Sequence, residues 1–389
     1  MLLSTHQTEV LDQIVHWIDN FDVEVKPRYI LTGFAGVGKT TLITNLVKNL
    51  NTYIKLDDKG EDSKKIAVVT LTWKAANVLR QKGLDEASSI HRLIYNSEVN
   101  PVTKEVEFRR KSTFEVAHKY SLIICDEASM TDKVIRADIE SFKIPVLYVG
   151  DNFQLPSISK DPENANFLLN PDSQLTEIHR QALDSPIIQM SMAIRNGQRM
   201  FANGTNVDNQ VFVFSKKDVR GKWLLDADQV ICGYNKTRIE LNRQIRAAKG
   251  HNPSNYPNVG EKLVALSNCR EKEIYNGQSF TCAKDYTASA HKPNEYRYLS
   301  LINDDDDKQF VKTIFTDLKT PEFILPYGAA DKQLVQMGYA YAITCHKAQG
   351  SQYDKIVIHN EPIGNNEEEK ARWLYTAITR AVKKLILLQ

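Results

Sequence analysis

The sequence predicts an α/β protein built on parallel β-sheet and interrupted by β-rich segments, and three observations carry that prediction. Residues 33–40, GFAGVGKT, fit the phosphate-binding pattern G-x-x-x-x-G-K-[ST]. The stretch before them, 29–31, is strand-like and the stretch after them, 41–50, is helix-like. Residues 120–130, YSLIICDEASM, form an apolar strand that ends in two acids, Asp126 and Glu127. Beyond these, strand and helix patterns alternate, which implies βαβ units and ligands at the carboxyl ends of the strands.

Taken in order, residues 5–21 have helical spacing, with Val10, Ile14, Trp17 and Ile18 on one face. After the first strand, loop and helix comes a charged stretch, 57–65, expected as a solvated loop. A buried-type strand over 66–72 leads into a helix over 74–82. Residues 94–113 change to an alternating strand pattern around Asn100-Pro101, a hairpin-like insertion. Strands follow at 122–125 and at 145–150, the second running into GDNFQLP. A second set of α/β elements begins near residue 185, with a strand at 229–233 and a helix at 237–249. From 258 to 326 the texture is all-β: KLVAL, QSFTCA, YRYLSLI and QFVKTIFT read as short strands of a small barrel. The acidic run 304–307 inside it reads as a solvated turn, with a metal site as the alternative. Strands return at 339–344 and 355–358, a helix at 373–381, and a last strand at 384–388. A second α/β domain is thus interrupted by a β module.

The chain has 389 residues, enough for two or three domains, and a formal net charge of +2. That balance restricts any nucleic-acid surface to a local groove. The five cysteines, at 125, 232, 269, 282 and 345, form no C-x-x-C pair, which argues against a zinc framework and fits a reducing, cytoplasmic setting. No apolar run reaches the length of a membrane span, and the first residues lack the pattern of a secretion signal.

The two motifs explain each other chemically. Gly33, Gly36 and Gly38, with Ala35 and Val37 between them, let the backbone curl until its N–H groups point at phosphate oxygens. Lys39 reaches the β- and γ-phosphates, Thr40 offers its hydroxyl to Mg²⁺, and Thr41 follows on the helix whose N-terminus faces the phosphates. Asp126 can hold Mg²⁺, and Glu127 can orient or deprotonate water. The combination predicts a nucleoside triphosphate hydrolase. A GTP switch would need Asn-Lys-x-Asp, and NKTR at 235–238 ends in Arg238 instead. A small-molecule kinase would not need the second α/β domain.

Nine strings, in order, carry a resemblance. HQTEVLDQI, GFAGVGKTT, TLTWKAANVLR, SSIHRL, IICDEASM, VGDNFQLP, LTEIHRQ, ITCHKAQGSQYD and LYTAITRA span residues 6 to 381. With them the chain resembles a superfamily 1B, RecD-like DNA helicase, most closely the Dda-like phage members, and its hairpin string NPVTKEVEF is similar to theirs. The resemblance implies two RecA-like parallel-sheet domains with ATP between them, a β-hairpin pin and a small SH3-like β-barrel. The implied boundaries are 1–93 and 114–184 for the first RecA-like domain and 94–113 for the pin. The second RecA-like domain takes 185–257 and 337–389, and the SH3-like insertion 258–336. The activity implied is ATP- and Mg²⁺-dependent movement 5′→3′ on single-stranded DNA with unwinding of duplex. The same engine without unwinding, a translocase that strips proteins from DNA, is the alternative. The partners implied are single-stranded and forked duplex DNA and, as candidates, single-strand-binding protein or other replication proteins. A monomer working in replication or recombination, in the cytoplasm of an infected host, is the expected setting.

The resemblance also assigns roles. Gln7 would read adenine through its amide, or else be an exposed residue at a helix start. Gln154 would sense the γ-phosphate beside Asp151, itself a candidate turn residue. Arg180 and Arg380 would stabilise charge on the transferring phosphoryl group. Gln349 and Gly350 would couple nucleotide state to the DNA track. Thr72, Lys74 and His91 would contact single strands, as would Asn235, Lys236, Thr344, His346 and Lys347. Trp73 stacks on a base or packs under the strand. His91 and His346 have a polar-core alternative. In the hairpin, Phe108, with Val102 behind it, is the candidate wedge at the fork, against the plain reading of a ring packed inward.

Overall fold

Alternation of strand and helix runs through both units of the computed structural model, Met1–Ile188 and Gln189–Gln389. The structure describes residues 3–53, 65–99, 106–157, 161, 163–164, 167–178, 183–198, 200–251, 257–266, 274, 277–286, 296–304, 309–316 and 337–389.

The first unit opens with helix α1 (Thr5–Asp19), whose buried residues Val10, Leu11, Ile14 and Trp17 recur at helical spacing. Ser4 and Gln7 close its start as a capping box, each satisfying the other's backbone N–H. There follow β1 (Arg28–Gly33), α2 (Lys39–Tyr53), β2 (Lys65–Thr70), α3 (Trp73–Gln81), β3 (Ser88–Ser89) and α4 (Ile90–Ile94). Strands β4 (Tyr95–Val99) and β5 (Val106–Arg110) pair antiparallel as a two-stranded hairpin, from Tyr95↔Arg110 to Val99↔Val106. Then come α5 (Thr113–Lys119), β6 (Tyr120–Cys125), α6 (Lys133–Glu140), β7 (Val146–Gly150) and β8 (Ser173–Leu175).

The main sheet has the order β3-β2-β6-β7-β1-β8, and every pairing in it is parallel. Its central strands are apolar throughout because helices cover both faces. Leu31, Leu42, Ile124 and Val149 belong to one core cluster, Val69, Ile123, Cys125 and Tyr148 to another. The order matters for the site. Strand β7 lies between the phosphate-loop strand β1 and the acid strand β6, with Thr32 opposite Gly150 and Cys125 opposite Tyr148. Parallel pairing brings the ends of all three strands to one edge.

The unit boundary falls within α7 (Pro186–Arg195). Beyond it run β9 (Asn206–Val207), β10 (Val211–Phe214), α8 (Gly221–Asp226), β11 (Gln229–Cys232) and α9 (Asn235–Ala248). The all-β stretch follows as β12 (Lys262–Ala265), β13 (Ser279–Tyr286), β14 (Tyr296–Asn303) and β15 (Gln309–Thr316). The chain ends with β16 (Met337–Tyr339), β17 (Ala342–Thr344), α10 (Cys345–Ala348), β18 (Tyr353–His359), α11 (Glu367–Ile378) and β19 (Ala381–Leu388). The second sheet, β17-β11-β18-β19-β10-β9, is parallel except for the edge strand β9.

Three expectations change. The run 339–344 is not one strand: β16 joins the antiparallel sheet β15-β14-β13-β12-β16, and β17 joins the parallel one. Every residue of 337–345 is buried, so no alternation marked the break. The last helix stops at Ile378, and Ala381 already belongs to β19; residues 373–380 are all buried, so no change of burial marks the end of the helix. The inserted β module is an open five-stranded sheet among the described residues, with no pairing of β15 to β16 that would close a barrel. It is fastened to α9 by a buried ion pair. Arg246 donates to Glu261 through Nε (2.7 Å) and Nη2 (3.0 Å), and Asn258 N–H donates to the same carboxylate at 2.7 Å. Removing one partner of such a pair costs about 3–5 kcal/mol, since the other charge is left buried.

Candidate nucleotide and nucleic-acid site

The phosphate loop turns on two glycines, Gly36 at φ 86° and Gly38 at φ 79°, both in the left-handed region. Gly33 serves otherwise. It ends β1 without positive φ, and a Cβ there would lie 2.7 Å from Val37 Cγ2 and 3.1 Å from Leu175 Cβ. It is therefore required for close approach, not for curl. Lys39 opens α2 and donates from Nζ to the carbonyls of Gly33 (2.7 Å) and Phe34 (3.0 Å), which holds its ammonium within the loop. The first turn of α2 carries no acid, so its N–H groups and dipole favour an anion. Thr40 and Thr41 are half-buried in that turn, and Ala35 is half-buried in the loop.

Gln7 is not the exposed helix-start residue of the alternative reading. It is 2% exposed. Its Nε2 donates to the carbonyls of Val37 (3.3 Å) and Gly38 (3.4 Å), and its Oε1 accepts from Ser4 N–H (3.0 Å). The amide thus ties the start of α1 to the phosphate loop.

The two acids follow β6 on an unusual turn. Glu127 has φ 54° and ψ 40°, left-handed for a residue with a side chain. Such backbone costs about 1–3 kcal/mol and persists only where its surroundings fix it. Gly150 does part of that. A Cβ at Gly150 would meet Leu168 Cδ1 at 2.6 Å and Ser129 N at 3.4 Å, so the end of β7 packs directly on the acid turn. Glu127 N–H donates to Asp126 Oδ1 at 2.9 Å. Burial, first, and the Glu127 charge, second, push the Asp126 carboxyl up to about 6, opposed by Lys39. A buried carboxylate raised by desolvation gains most from a cation at hand, and Asp126 with Thr40 fits a Mg²⁺ site on that ground.

Asp151 builds the next turn. Its carboxylate accepts from Phe153 N–H at 3.0 Å and its carbonyl from Gln154 N–H at 3.2 Å. Gln154 is thereby held at the end of β7, 6% exposed, its Oε1 without a hydrogen-bond partner among the described residues. Arg180 lies outside the described residues.

In the second unit Arg380 is 4% exposed, which removes the alternative of a surface ion pair. Its guanidinium donates to Thr376 O (3.1 Å), Thr379 Oγ1 (3.1 Å) and Ser351 O (3.5 Å), and no carboxylate pairs with it among the described residues. A buried cation held only by neutral acceptors has capacity left for an anion. Gln349 and Gly350 are buried just after α10, Gly350 in the left-handed region at φ 71°.

The candidate single-strand residues divide. Thr72 caps α3, its Oγ1 accepting from Ala75 N–H at 3.2 Å. Trp73 has one ring face under the Arg80 guanidinium, 4.2 Å from the ring centre, and Arg80 is itself anchored on Ala87 O and Asn77 Oδ1. Packing therefore accounts for one side of that ring. Lys74 is half-buried and His91 exposed, so His91 is not a core residue. Asn235 and Lys236 are exposed at the start of α9, and Asn235 Oδ1 accepts from Arg238 Nε at 3.2 Å. Thr344, buried, leads into α10, which carries His346 and Lys347. Burial lowers both, and Arg238 adds to the effect on Lys347, which drops to about 8. Sequence reading assigned no role in the site to Arg238, Gly150 or Glu361. The Glu361 carboxylate receives Gly233 N–H and Thr237 Oγ1, fixing the turn before Asn235. None of the three stands in a spacing that singles it out.

In the hairpin, Phe108 pairs with Ser97 in register. Its side chain, Val102 and the turn 100–103 lie outside the described residues. So do 305–307 of the acidic run; Asp304 accepts from Thr281 Oγ1 at 2.7 Å. Among the described residues no helix is long and apolar enough to cross a membrane.

Comparison with known proteins agrees with these features. A family model described as an AAA domain matches residues 3–211, more than half of the chain, and a UvrD-like helicase C-terminal domain matches 339–388. The ATP-dependent RecD2 DNA helicase of Deinococcus radiodurans is 30% identical over 97% of this chain, which spans about half, 48%, of that protein. The ATP-dependent DNA helicase Pif1 of Campylobacter jejuni is 24% identical over 90% of this chain and 86% of its own length. A solved structure of Bacteroides Pif1 with ADP-AlF3 and single-stranded DNA shares the fold, with a TM-score of 0.55 at 20% identity over 100% of this chain and 92% of that one. A phosphate loop and acid pair on one parallel sheet, the AAA-domain match across them and the helicase-type match at the far end together place the chain: it belongs to the AAA-domain family and, within it, to the superfamily 1B helicases.

Proposed function

We propose that the chain is an ATP-driven motor that moves 5′→3′ on single-stranded DNA and separates duplex at a fork, as a monomer. The observation that carries this is the buried, carboxylate-free guanidinium of Arg380 in a chain whose first unit holds a complete phosphate cradle. The RecD2 and Pif1 relatives, both named as ATP-dependent DNA helicases, support the same reading.

In this reading ATP's phosphates lie on the N–H groups of residues 36–40, and the Lys39 ammonium moves from its carbonyls to the phosphate oxygens. Asp126 and Thr40 would hold Mg²⁺, which would supply neutralisation of phosphate charge. Glu127 takes the proton of the attacking water, and Gln154 contacts the γ-phosphate or that water. Arg380, with Arg180 as its counterpart, stabilises charge on the transferring phosphoryl group. Thr72, Lys74, His91, Asn235, Lys236, Thr344, His346 and Lys347 hold the strand by its phosphates. The hairpin is the fork-splitting element, and the five-stranded insertion serves as the SH3-like module. Special closeness to the phage members and contacts with single-strand-binding protein belong to the same proposal.

A gel assay on a fork with a 5′ single-stranded tail tests it. ATP should release the strand from the 5′-tailed fork and not from a 3′-tailed one. Release from the 3′-tailed fork alone would refute the polarity. Displacement of a bound protein without strand release would favour the protein-stripping alternative.

A further inference from the structure

An aromatic ring stands in water beside the hairpin. Phe114, on α5, is 76% exposed, and its ring stacks on that of His118 one turn later, with centroids 5.3 Å apart and planes 14° apart. His118 is exposed as well. Helix α5 starts three residues after β5, so the ring pair lies at the base of the hairpin.

Cations lie beside this helix. Arg92 and Lys119 are exposed, and neither makes an ion pair among the described residues. Lys111 connects them: its Nζ donates to Arg92 O at 2.8 Å, and its ammonium feels Lys119 and Arg92 as repulsions. Among the described residues Glu115 opposes them; its carboxylate also accepts from Ser112 N–H at 2.7 Å and Oγ at 2.9 Å. Among the charges that act on Lys111, the cations Arg92 and Lys119 outnumber the carboxylate of Glu115.

We propose that Phe114 and His118, with Arg92 and Lys119, form a contact site for unpaired nucleotides of DNA at the base of the β4–β5 hairpin, additional to the residues the motifs assign to the strand. The chemistry is that of single-strand binding: a flat aromatic face for a base and cations for the flanking phosphates. A duplex hides its base faces within the stack, so an exposed ring selects the unpaired strand. A docking site for protein would extend the apolar surface around Phe114, and here the rim is cationic. The proposal rests on the reading of the chain as a single-strand motor.

The test uses the full chain and an oligo(dT) strand carrying one 4-thiothymidine. Irradiation should crosslink the strand to residues 112–119, and Phe114→Leu, which keeps the apolar bulk but not the flat face, should lower the crosslink yield about five-fold or more, the effect of one stacked base. Arg92→Glu with Lys119→Glu should reduce the steepness of the log affinity against log salt line by about 1.4 or more, for two phosphates of a single strand. No crosslink in that segment, or an unchanged salt slope in the double variant, overturns the proposal. So does a crosslink that blunt duplex competes away and unlabelled single strand does not. ATPase stimulation by single strand in the unaltered protein separates the two readings. Stimulation without the crosslink removes only this site, and no stimulation removes the motor reading beneath it.

Discussion

The first unit follows its parallel strands with backbone donors and acids, whereas the second sets cations beside its sheet, Lys347 after β17 and Arg380 just before β19. In the first, two left-handed glycines, a helix start and the Asp126–Glu127 turn make a site chiefly from main chain. In the second, with a sheet of the same strand number, Arg380 and Lys347 occupy half-buried or buried positions and main chain contributes little. On the proposed reading the same scaffold presents an anion receptor in two ways. A backbone cradle fixes the place of a phosphate, and a buried guanidinium supplies charge that matters most when charge develops. A change in the second unit should accordingly lower turnover without loosening the cradle.

Arg380→Ala should give the largest effect. ATP turnover should fall by about 10³–10⁵, the range for arginines that act on the phosphoryl transition state, with little loss of single-strand affinity measured without nucleotide. A variant that turns over normally would reduce Arg380 to a structural role and abolish the contrast. In the first unit, Glu127→Gln should keep ATP binding and lose about 10²–10⁴ in hydrolysis, as expected for a general base. Lys39→Ala should instead weaken binding itself. Equal loss of binding in both, by nucleotide titration, would contradict the division of labour within the cradle.

Phe108→Ala sharpens the contrast in another direction, between engine and fork. Unwinding should drop further than DNA-stimulated ATPase if the ring replaces lost stacking, a contribution of about 1–3 kcal/mol per base. A ring packed inward predicts a lowered melting temperature and a joint decline instead. Smallest are two pH effects of opposite sign. Asp126 is raised to about 6, so protons compete with Mg²⁺ as pH falls through that value, and Mg²⁺-nucleotide affinity should decline there. Lys347 is lowered to about 8, so its charge is present below that pH and lost above it. Single-strand affinity should therefore decline as pH rises through 8, and Lys347→Ala should flatten that decline.

The same contrast explains what was legible in the sequence. A site made of backbone needs particular residues at fixed spacings, so GFAGVGKT and the apolar strand before Asp126 announced themselves. The strands of the all-β insertion were equally readable, because alternation and turns punctuate them. Buried runs were not: the split of 337–344 between two sheets and the end of α11 fall in continuously buried stretches, 337–345 and 373–380. Short edge strands such as β8, three residues long, carry too little pattern to be found. Within the site, residues that act by packing were missed. Gly150 was read only as the last residue of a strand, and only the packing of the acid turn against it shows why no Cβ fits there. Gln7 was expected to face a base, and its bonds to Val37 and Gly38 depend on where α1 meets the loop.

The central claim, that nucleotide hydrolysis here drives movement on a single strand, is tested most directly by one rate. Steady-state ATP hydrolysis by the unaltered chain should rise on adding oligo(dT), and blunt duplex should stimulate it less. A rate that no nucleic acid changes would contradict the account, leaving a nucleotide hydrolase whose second unit serves some other partner.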